Sequence, residues 1–375
     1  MNRYDQQLAV FIRKHASAAA IYCDVAVLCI LSDPKQKEMI EFEERNEYNV
    51  KSLVVYFKKY SSILRFIDPI VNLFRYLHAT KEGLERMRDT FGNHDVTHAY
   101  IMLRPALTAY WLRYATGKPF VISEQWSGYA TGKFNKLSFN TKVLSRWVFK
   151  KANAVTAVSA FLKNKMIECG LNNKNFEITN NVIEKFPKTT SPLPQNDKIK
   201  ILVVADLKDE IKNISGIIRA MNDIKSPDTE LHIIGHGDDE RMLKNLANEL
   251  NLLGKVVFFH GVKLNEEVFQ YLHACDFLVM NSRFETFSLI CAEALSCGKP
   301  VIATRCGGPQ EYVTKEAGIL IEPDSPEELK RAMITMIESY RGYNPETLKN
   351  IVSSSLSLEK IGATFHSIYR NIRNK

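Results

Sequence analysis

The sequence predicts an α/β fold made of two doubly wound domains. A chain of 375 residues, 45% of them hydrophobic and 25% charged, can bury a full core but is long for one domain. Short apolar runs alternate with longer segments of helical period in both halves, a pattern typical of buried parallel strands joined by helices. Between the halves, the Pro-rich polar segment KFPKTTSPLPQNDKIK predicts a linker, which we place near Leu193.

The predicted elements follow this division. The first domain covers residues 1–192, with strands expected in DVAVLCIL, KSLVVYF, VTHAYIML, KPFVIS, AVTAVS and FEITNNV. The second domain covers residues 193–350, with strands expected in IKILVVA, LHIIGH, KVVFFHG, DFLVMNS, KPVIATR and AGILIEP. The last segment, ETLKNIVSSSLSLEKIGATFHSIYRNIRNK, has helical period and is Ser-rich in its middle, so we expect a pair of helices with a break between them and assign residues 351–375 to the C-terminal helices.

Charge and composition narrow the possible partners. A formal net charge of +8 suits nucleic acid or an anionic membrane, but no DNA- or RNA-binding module is visible, so no nucleic-acid partner is predicted. Basic residues mix with Phe, Leu, Ile and Tyr from Phe57 to Arg75 and beyond. This mixture indicates either a surface for anionic headgroups or a solvated helix face over a core stripe.

Cysteine usage and the start of the chain indicate the compartment. The seven cysteines fall mostly on apolar stretches without C-x-x-C spacing, so reduced thiols and a cytoplasmic protein are expected. The start MNRYDQQLAVFIRKHASAAA is charged where a signal peptide needs an apolar core. No uncharged apolar run reaches the roughly 18 residues of a membrane span.

The stretch SRFETFSLICAEALSCGKP carries the main chemical signal. It places Glu285 in a strand-to-helix turn and Glu293 inside the apolar helix that follows, where a carboxylate needs a polar partner. Thr286, Phe287 and Ser288 would offer unpaired N–H groups at the start of this helix, a natural seat for phosphate at the carboxyl end of a strand. The two acids lie roughly 12 Å apart along the helix. The competing interpretations are a first-turn acid at Glu285 and a solvent-facing acid at Glu293.

That separation indicates the kind of ligand. It exceeds the roughly 5 to 9.5 Å between the paired carboxylates of a glycoside hydrolase, unless the side chains lean together. It suits a ligand with hydroxyls at two ends and phosphates in the middle.

Three segments carry a resemblance to a known family: NSRFETFSLICAE, AEALSCGKPVIATRCGGPQEYV and AGILIEPDSPEELKRAM. With LHIIGHGDDE, ILVVADLKDEIKNISGIIRAM and ANAVTAVSAFLKNKM upstream, the chain resembles glycosyltransferase family 4. The resemblance implies a GT-B fold, in which two Rossmann-like domains face each other across a cleft and the C-terminal helices cross back to the first domain.

The resemblance also implies an activity. It is transfer of a hexose-type sugar, with retention, from a UDP or GDP sugar to a glycan or lipid-linked glycan. No metal or cofactor is implied. The expected place is the cytoplasm, at the inner face of the membrane.

Roles for individual residues follow from the resemblance. Glu285 and Lys212 are implied as catalytic residues, the first binding donor-sugar hydroxyls and the second binding diphosphate oxygens. Glu293 would hold the ribose hydroxyls. Backbone donors to the diphosphate are implied at Thr286, Phe287, Ser288 and Leu289. The other implied positions lie around the nucleotide (Gly235, Gly237, His260, Gly261 and Val262) and on the acceptor side (Glu124 and Gln125).

The sequence departs from the family pattern at three places. The first strand and its Gly-rich loop are missing, so either the strand is absent or the start lies upstream. Gln125 stands where the family commonly has a His, and Asp206 lies near a position where an Arg is often found. A neutral glutamine cannot carry a proton. A catalytically weak or inactive nucleotide-sugar-binding relative, or a partner of an active transferase, therefore stays open. A dehydrogenase is not predicted, because GHGDDE lacks the third glycine of its fingerprint.

Overall fold

The computed structural model describes residues 10–47, 50–62, 65–184, 187 and 190–373. Linker positions 185, 186, 188 and 189 and the start at residues 1–9, which bears on the expectation about the first strand, lie outside the described residues. Two α/β domains and a C-terminal helix make up the rest. Within the described ranges, no helix combines the length and the apolar composition needed to cross a bilayer.

The N-terminal domain begins with a helix and a small mixed sheet. The order is β1–β3–β2, with β1 parallel and β2 antiparallel to β3. The bounds are α1 (Val10–Ala19), β1 (Ala26–Asp33), β2 (Ile40–Glu47), β3 (Val50–Lys58) and α2 (Asp68–Phe91). Strand β2 was not predicted from the sequence. Only Ile40 and Phe42 of its IEFEERNE run reach the core, as expected for an antiparallel edge strand with one solvated face.

A second sheet completes the N-terminal domain. Its four strands are all parallel and lie in the order β4–β5–β6–β7. The bounds are β4 (Thr97–Tyr100), α3 (Arg104–Thr116), β5 (Phe120–Glu124), α4 (Phe139–Lys151), β6 (Ala154–Ala157), α5 (Ala160–Glu168) and β7 (Phe176–Ile178). Strands β5 and β6 are buried along their whole length, as expected for parallel strands that are covered on both faces, and they include the buried polar residues Ser123, Glu124 and Thr156.

The C-terminal domain is built on one parallel sheet of six strands, in the order β10–β9–β8–β11–β12–β13. Its strands are β8 (Ile199–Val204), β9 (Thr229–Ile234), β10 (Val257–Phe259), β11 (Phe277–Met280), β12 (Val301–Thr304) and β13 (Gly318–Ile321). Its helices are α6 (Asp209–Lys212), α7 (Ile214–Ile224), α8 (Glu240–Glu249), α9 (Asn265–Ala274), α10 (Leu289–Ser296) and α11 (Pro326–Ser339). Each apolar run predicted in this half overlaps one strand. The strand order reverses between β8 and β11, the position at which such sheets bind ligands.

The last two helices belong to different domains. Helix α12 (Pro345–Ser353) packs against α10, whereas α13 (Leu358–Arg373) packs against α1. Phe365 and Ile368 of α13 share a buried cluster with Ala18 of α1. The hydroxyl of Tyr369 also lies 2.7 Å from Nδ1 of His98 on β4. The chain therefore crosses back to the N-terminal domain between the two helices.

Candidate functional site

A lysine and a glutamate meet at the point where the strand order of the C-terminal sheet reverses. Lys212 ends the short helix after β8, and Glu285 lies in the loop after β11, so both follow the carboxyl ends of adjacent strands. Lys212 Nζ lies 2.5 Å from Glu285 Oε1, and the Ser282 hydroxyl donates to the same oxygen at 3.0 Å. A cavity of about 180 Å³ is lined by this pair and by Asn281, Ser282, Ser288 and Leu289.

The environment of Lys212 favours its charged form. Burial alone would lower the pKa of the Lys212 ammonium, but the Glu285 carboxylate beside it raises that pKa above its ordinary value. The ammonium therefore stays protonated at neutral pH. A fixed cation at a cavity wall can bind an anionic ligand group and stabilise charge that develops there.

The start of α10 faces the same cavity. Ser288 precedes the helix in a left-handed conformation with φ of 66°, and its side chain does not cap the helix. Within the described residues, the backbone N–H groups of Thr286, Phe287 and Ser288 donate to no other backbone carbonyl. These N–H groups and the Lys212 ammonium form one positively polarised region.

A second loop supports this segment from behind. The Tyr312 hydroxyl lies 2.6 Å from the carbonyl oxygen of Ser288. Gly308 fits directly under the loop, because an added Cβ atom would lie 2.3 Å from the Thr286 carbonyl oxygen. The glycine pair in RCGGPQEY therefore permits backbone contact that any larger residue would prevent.

Glu293 occupies a separate, buried position on α10. Its side chain is 8% exposed and faces Lys14 of α1, whose Nζ lies 3.8 Å from Glu293 Oε1. The same ammonium lies 3.4 Å from Oε2 of Glu184, in the connection between the domains. Burial raises the pKa of Glu293, Lys14 opposes that rise, and Glu184 adds to it. Neither Glu285 nor Glu293 is turned to bulk solvent.

The glycines predicted to approach a nucleotide lie against the loop that follows β8. An added Cβ atom at Gly235 would lie 1.8 Å from the Ala205 carbonyl oxygen, and one at Gly237 would lie 2.6 Å from that of Leu207. These glycines let the loops after β9 and β8 pack together. They shape the sheet edge but do not line the Lys212–Glu285 cavity.

The predicted turn after β10 lies beside those glycines. The His260 ring contacts the His232 ring, with 3.0 Å between their nitrogens, and the Tyr271 hydroxyl at 3.3 Å. Burial lowers the pKa of His260. Gly261 accepts a hydrogen bond from the Gly235 N–H through its carbonyl, and Val262 is exposed. These residues are also absent from the cavity lining.

The two residues predicted on the acceptor side have distinct environments. Glu124 is buried at the end of β5, where it accepts hydrogen bonds from the Met102 N–H at 2.6 Å and from the Tyr129 hydroxyl at 3.0 Å. Burial raises the pKa of Glu124 to about 7. Gln125 is partly buried and donates to Asn181 Oδ1 at 2.8 Å.

The domains also meet next to the Lys212–Glu285 cavity. Glu311, in the loop after β12, accepts hydrogen bonds from the backbone N–H groups of Ala160 and Phe161 at the start of α5. A carboxylate suits this position because the start of a helix carries positive partial charge. The contact ties the N-terminal domain to the loop that supports α10.

Sequence reasoning missed Lys14, Glu184 and Tyr312. Lys14 lies in the ordinary-looking helix VFIRKHASAA, and Glu184 adjoins the linker. Both meet Glu293 only through the fold, so no local spacing indicates them. Tyr312 lies in the RCGGPQEY segment that carries the family resemblance, and this was the available signal.

Comparisons with known proteins agree with this architecture. Residues 185–353 match the family model described as Glycosyl transferases group 1. The chain is 30% identical to an uncharacterized glycosyltransferase of Methanocaldococcus jannaschii over 254 residues, 64% of this chain. The match also spans 64% of that relative, less than two thirds of its length.

Two further similarities cover more of the chain. The chain is 26% identical to N-acetylgalactosamine-N,N'-diacetylbacillosaminyl-diphospho-undecaprenol 4-alpha-N-acetylgalactosaminyltransferase of Campylobacter jejuni. This match covers 89% of the chain and 90% of that relative. The crystal structure of Anabaena HepE in complex with UDP and glucose superposes with a TM-score of 0.71 at 17% identity, over 95% of each chain. Residues 185–353 therefore match the glycosyl transferases group 1 model, and the chain shares the two-domain GT-B fold of its solved structural neighbours.

Proposed function

We propose that this protein is a retaining glycosyltransferase that moves a hexose-type sugar from a nucleoside diphosphate sugar to a hydroxyl of a glycan or lipid-linked glycan. The observation that carries the proposal is the Lys212–Glu285 pair beside the free N–H groups that precede α10. The Lys212 ammonium and these N–H groups suit a diphosphate, and the Glu285 carboxylate suits sugar hydroxyls. The family match over residues 185–353 supports the same reaction class.

The donor is proposed to lie along the start of α10. Lys212 and the N–H groups of Thr286, Phe287, Ser288 and Leu289 would bind the diphosphate, with Glu285 accepting hydrogen bonds from the sugar. Glu293 would accept hydrogen bonds from the ribose, because an ionised carboxylate is an acceptor only. The edge formed by Gly235, Gly237, His260, Gly261 and Val262 would lie beside the base. UDP is the first nucleotide to test, since HepE was crystallised with it.

The chemical step is proposed to depend on stabilising the leaving group. The bond between the anomeric carbon and the diphosphate breaks, and Lys212 stabilises the negative charge that develops on the departing phosphate. The acceptor hydroxyl attacks from the same face and passes its proton to that phosphate, which retains the anomeric configuration. Because Lys212 and the N–H groups supply positive charge, we propose that transfer needs no metal ion.

The acceptor is proposed to be presented at a membrane surface. Phe57, where the basic segment was predicted to begin, is a core residue. Exposed apolar side chains instead line one face of α2 and the turn before it, here called the α2 surface: Phe66 of the turn, and Ile70, Leu73, Phe74 and Leu77 of the helix. Exposed Arg65 and Lys81 flank it. An apolar face bordered by basic residues suits an anionic bilayer, and the Campylobacter relative is named for an undecaprenol-linked substrate.

A transfer assay with matched variants tests the activity. The purified protein is incubated with UDP and GDP sugars and lipid-linked or free glycan acceptors, and nucleotide release and product anomer are measured with and without EDTA. We expect Lys212→Met to lower kcat by about 10²-fold or more, the size of losing one group that stabilises developing charge. Lys255→Met, an exposed lysine of the same domain, is the control. Equal activity of both variants would refute the assignment.

One observation favours a second candidate, a nucleotide-sugar-binding protein without transferase activity. Gln125 is engaged with Asn181 and has no group that carries a proton. Such a protein would bind a nucleotide sugar through Glu293 and Lys212 but release no nucleotide with any acceptor. Gln125→His discriminates the two, since a gain of turnover would show that this position limits the chemistry.

A further inference from the structure

Helix α1 of the N-terminal domain supplies a charged side chain to α10 of the other domain. Lys14 is 2% exposed, and its ammonium lies 3.4 Å from Glu184 and 3.8 Å from Glu293. One cation thus serves two carboxylates that come from the domain connection and from the C-terminal domain. Among the described residues, no other cation lies within ion-pair distance of Glu293.

A lysine at this position costs stability. Taking an ammonium and two carboxylates out of water is expensive, and an apolar side chain of similar volume is often at least as stable in such a place. Apart from His15, whose Nε2 lies 3.1 Å from the carbonyl oxygen of Asn180, the other buried residues of α1 are the alanines Ala16, Ala18 and Ala19. The position of Lys14 therefore points to a role besides holding the domains together.

The geometry leaves part of the hydrogen-bonding capacity of the Glu293 carboxylate available. The Lys14 ammonium lies 3.8 Å from Oε1, which is longer than an ordinary hydrogen bond. A carboxylate has two oxygens and about four lone-pair sites, so one ammonium cannot occupy them all. A vicinal diol has two O–H donors, and a fixed, ionised carboxylate can accept both.

We infer that Lys14 is a positioning residue for the donor nucleotide, holding the Glu293 carboxylate ionised and oriented to accept hydrogen bonds from the ribose diol. The inference rests on the proposed function, because it requires Glu293 to be the ribose acceptor. It adds a residue of the N-terminal domain to the nucleotide site of the C-terminal domain. Nucleotide affinity then depends on α1 staying against α10, since moving the domains apart would leave Glu293 without its counter-charge.

An alternative position of Lys14 relative to the ribose predicts the opposite change in nucleotide affinity. If Lys14 occupied the space of the ribose, a nucleotide would have to displace it, and removing the ammonium would strengthen binding. The measured direction of change therefore separates the two arrangements.

Nucleotide affinity of charge variants provides the test. Dissociation constants for UDP, GDP and pyrophosphate are measured by calorimetry between pH 6 and 8.5 for wild type, Lys14→Met, Lys14→Arg, Glu293→Gln and the double variant Lys14→Met with Glu293→Gln. We expect Lys14→Met to weaken binding of the nucleoside diphosphate roughly tenfold, the effect of losing a charge-assisted hydrogen bond. Pyrophosphate, which lacks ribose, is expected to bind equally to both proteins.

Three further results are expected of a positioning role. Lys14→Arg keeps the charge and retains most of the affinity. Lys14→Met adds no loss when Glu293 is already Gln, because the ammonium then has no carboxylate to hold. The loss of affinity in Lys14→Met is larger at pH 6 than at pH 8.5. The charged groups that face Glu293 are Lys14 of α1 and Glu184. When Lys14 is removed, burial and Glu184 both favour the protonated form of Glu293, which is more populated at the lower pH.

Several outcomes would overturn the inference. Unchanged or tighter nucleotide binding by Lys14→Met would do so, as would an equal loss for pyrophosphate. If Lys14→Met does not fold, Glu184→Gln replaces it. In that variant Lys14 pairs with Glu293 only, so we expect it to bind UDP or GDP more tightly than wild type at pH 6. Unchanged binding would contradict the inference. Wild-type affinity in both Glu293→Gln and Lys212→Met would instead refute the proposed donor site.

Discussion

The Tyr312 hydroxyl lies 2.6 Å from the carbonyl oxygen of Ser288 and 3.0 Å from that of Phe287, and so holds the loop that precedes α10. The peptide units of these two carbonyls carry the N–H groups of Ser288 and Leu289. Because each peptide unit is planar, a hydroxyl that fixes the direction of its carbonyl also fixes the direction of the N–H in the same unit. Tyr312 is therefore expected to orient the N–H groups of the proposed diphosphate seat.

Removing this hydroxyl is expected to weaken donor binding. Tyr312→Phe keeps the ring against Phe287 but loses the hydrogen bond, which contributes about 1 kcal/mol to stability. We predict a donor KM about three- to tenfold higher, with kcat less affected, because the loop that presents the N–H groups loses its anchor. Donor-saturation kinetics measure both constants. Tyr114→Phe, at an exposed position, is the control. An unchanged KM in Tyr312→Phe would show that the loop is held by other contacts.

Replacing Glu285 is expected to separate recognition of the sugar from recognition of the nucleotide. Glu285→Gln removes the charge that pairs with Lys212 and the acceptor proposed for sugar hydroxyls. Affinity for the nucleotide sugar should fall about tenfold, or about 1.4 kcal/mol, whereas affinity for the free nucleoside diphosphate should be retained or increased. The increase would arise because Lys212 is released to bind phosphate.

Titration calorimetry with UDP-glucose and UDP, or the corresponding guanosine pair, measures this difference. Glu327→Gln, at an exposed position of α11, is the matched control. Equal loss of affinity for the sugar nucleotide and the free nucleotide would contradict the role of Glu285 in binding sugar.

The parallel strands were predictable because burial on both faces leaves a continuous apolar run. Strands β11 and β12, FLVM and VIAT, are buried at every residue, and both lie inside predicted runs. Strand β2 escaped prediction because its acidic residues interrupt the apolar pattern, and at a sheet edge one face remains in water. The sequence therefore predicted the C-terminal domain better than the mixed sheet at the start.

The candidate site was predictable only where chemistry and local spacing coincide. Glu285 and Ser288 stand in one strand-to-helix turn, so their proximity follows from the chain itself. Lys212 pairs with Glu285 because β8 and β11 are neighbours in the sheet. A prediction of a parallel sheet makes this neighbour relation plausible but does not determine the strand order. Lys14 and Glu293 lie in different domains, so only the tertiary arrangement brings them together. Long-range ion pairs of this kind leave no periodic signal in a sequence.

The buried carboxyl of Glu124 is expected to make stability fall as the pH rises. Burial raises its pKa from an ordinary value of 4.5 to about 7. Between these values the folded state binds a proton that the unfolded state has lost, so the stabilisation is complete below pH 4.5 and is lost as the pH rises through about 7. Glu124→Gln carries no titrating group and should lack this decline.

Thermal unfolding of wild type and Glu124→Gln between pH 5 and pH 8.5 measures the effect. We expect the variant to gain up to about 3 kcal/mol relative to wild type between the two ends of this range. Glu177→Gln, at an exposed position on the same sheet, should follow wild type. Parallel pH profiles for wild type and Glu124→Gln would show that Glu124 is ionised in the folded protein throughout.

The α2 surface is expected to bind anionic membranes. Phe66 and Phe74 are 74% and 67% exposed, and with Ile70, Leu73 and Leu77 they follow the spacing of one helix face. Such side chains gain free energy on entering the interfacial region, about 1.5 to 3 kcal/mol for each Phe that becomes fully buried. Replacing both by Ser should therefore reduce the partition coefficient about tenfold or more.

Co-sedimentation with vesicles of phosphatidylglycerol and phosphatidylcholine, at low and high salt, measures this partitioning. Binding of wild type is expected to require phosphatidylglycerol and to weaken with salt, because Arg65 and Lys81 contribute a screened electrostatic attraction. Met242→Ser removes an exposed apolar side chain from the other domain and should leave binding unchanged. If Phe66→Ser with Phe74→Ser sediments like wild type, the α2 surface does not face the bilayer. If wild type itself ignores anionic vesicles at low salt, membrane association is refuted.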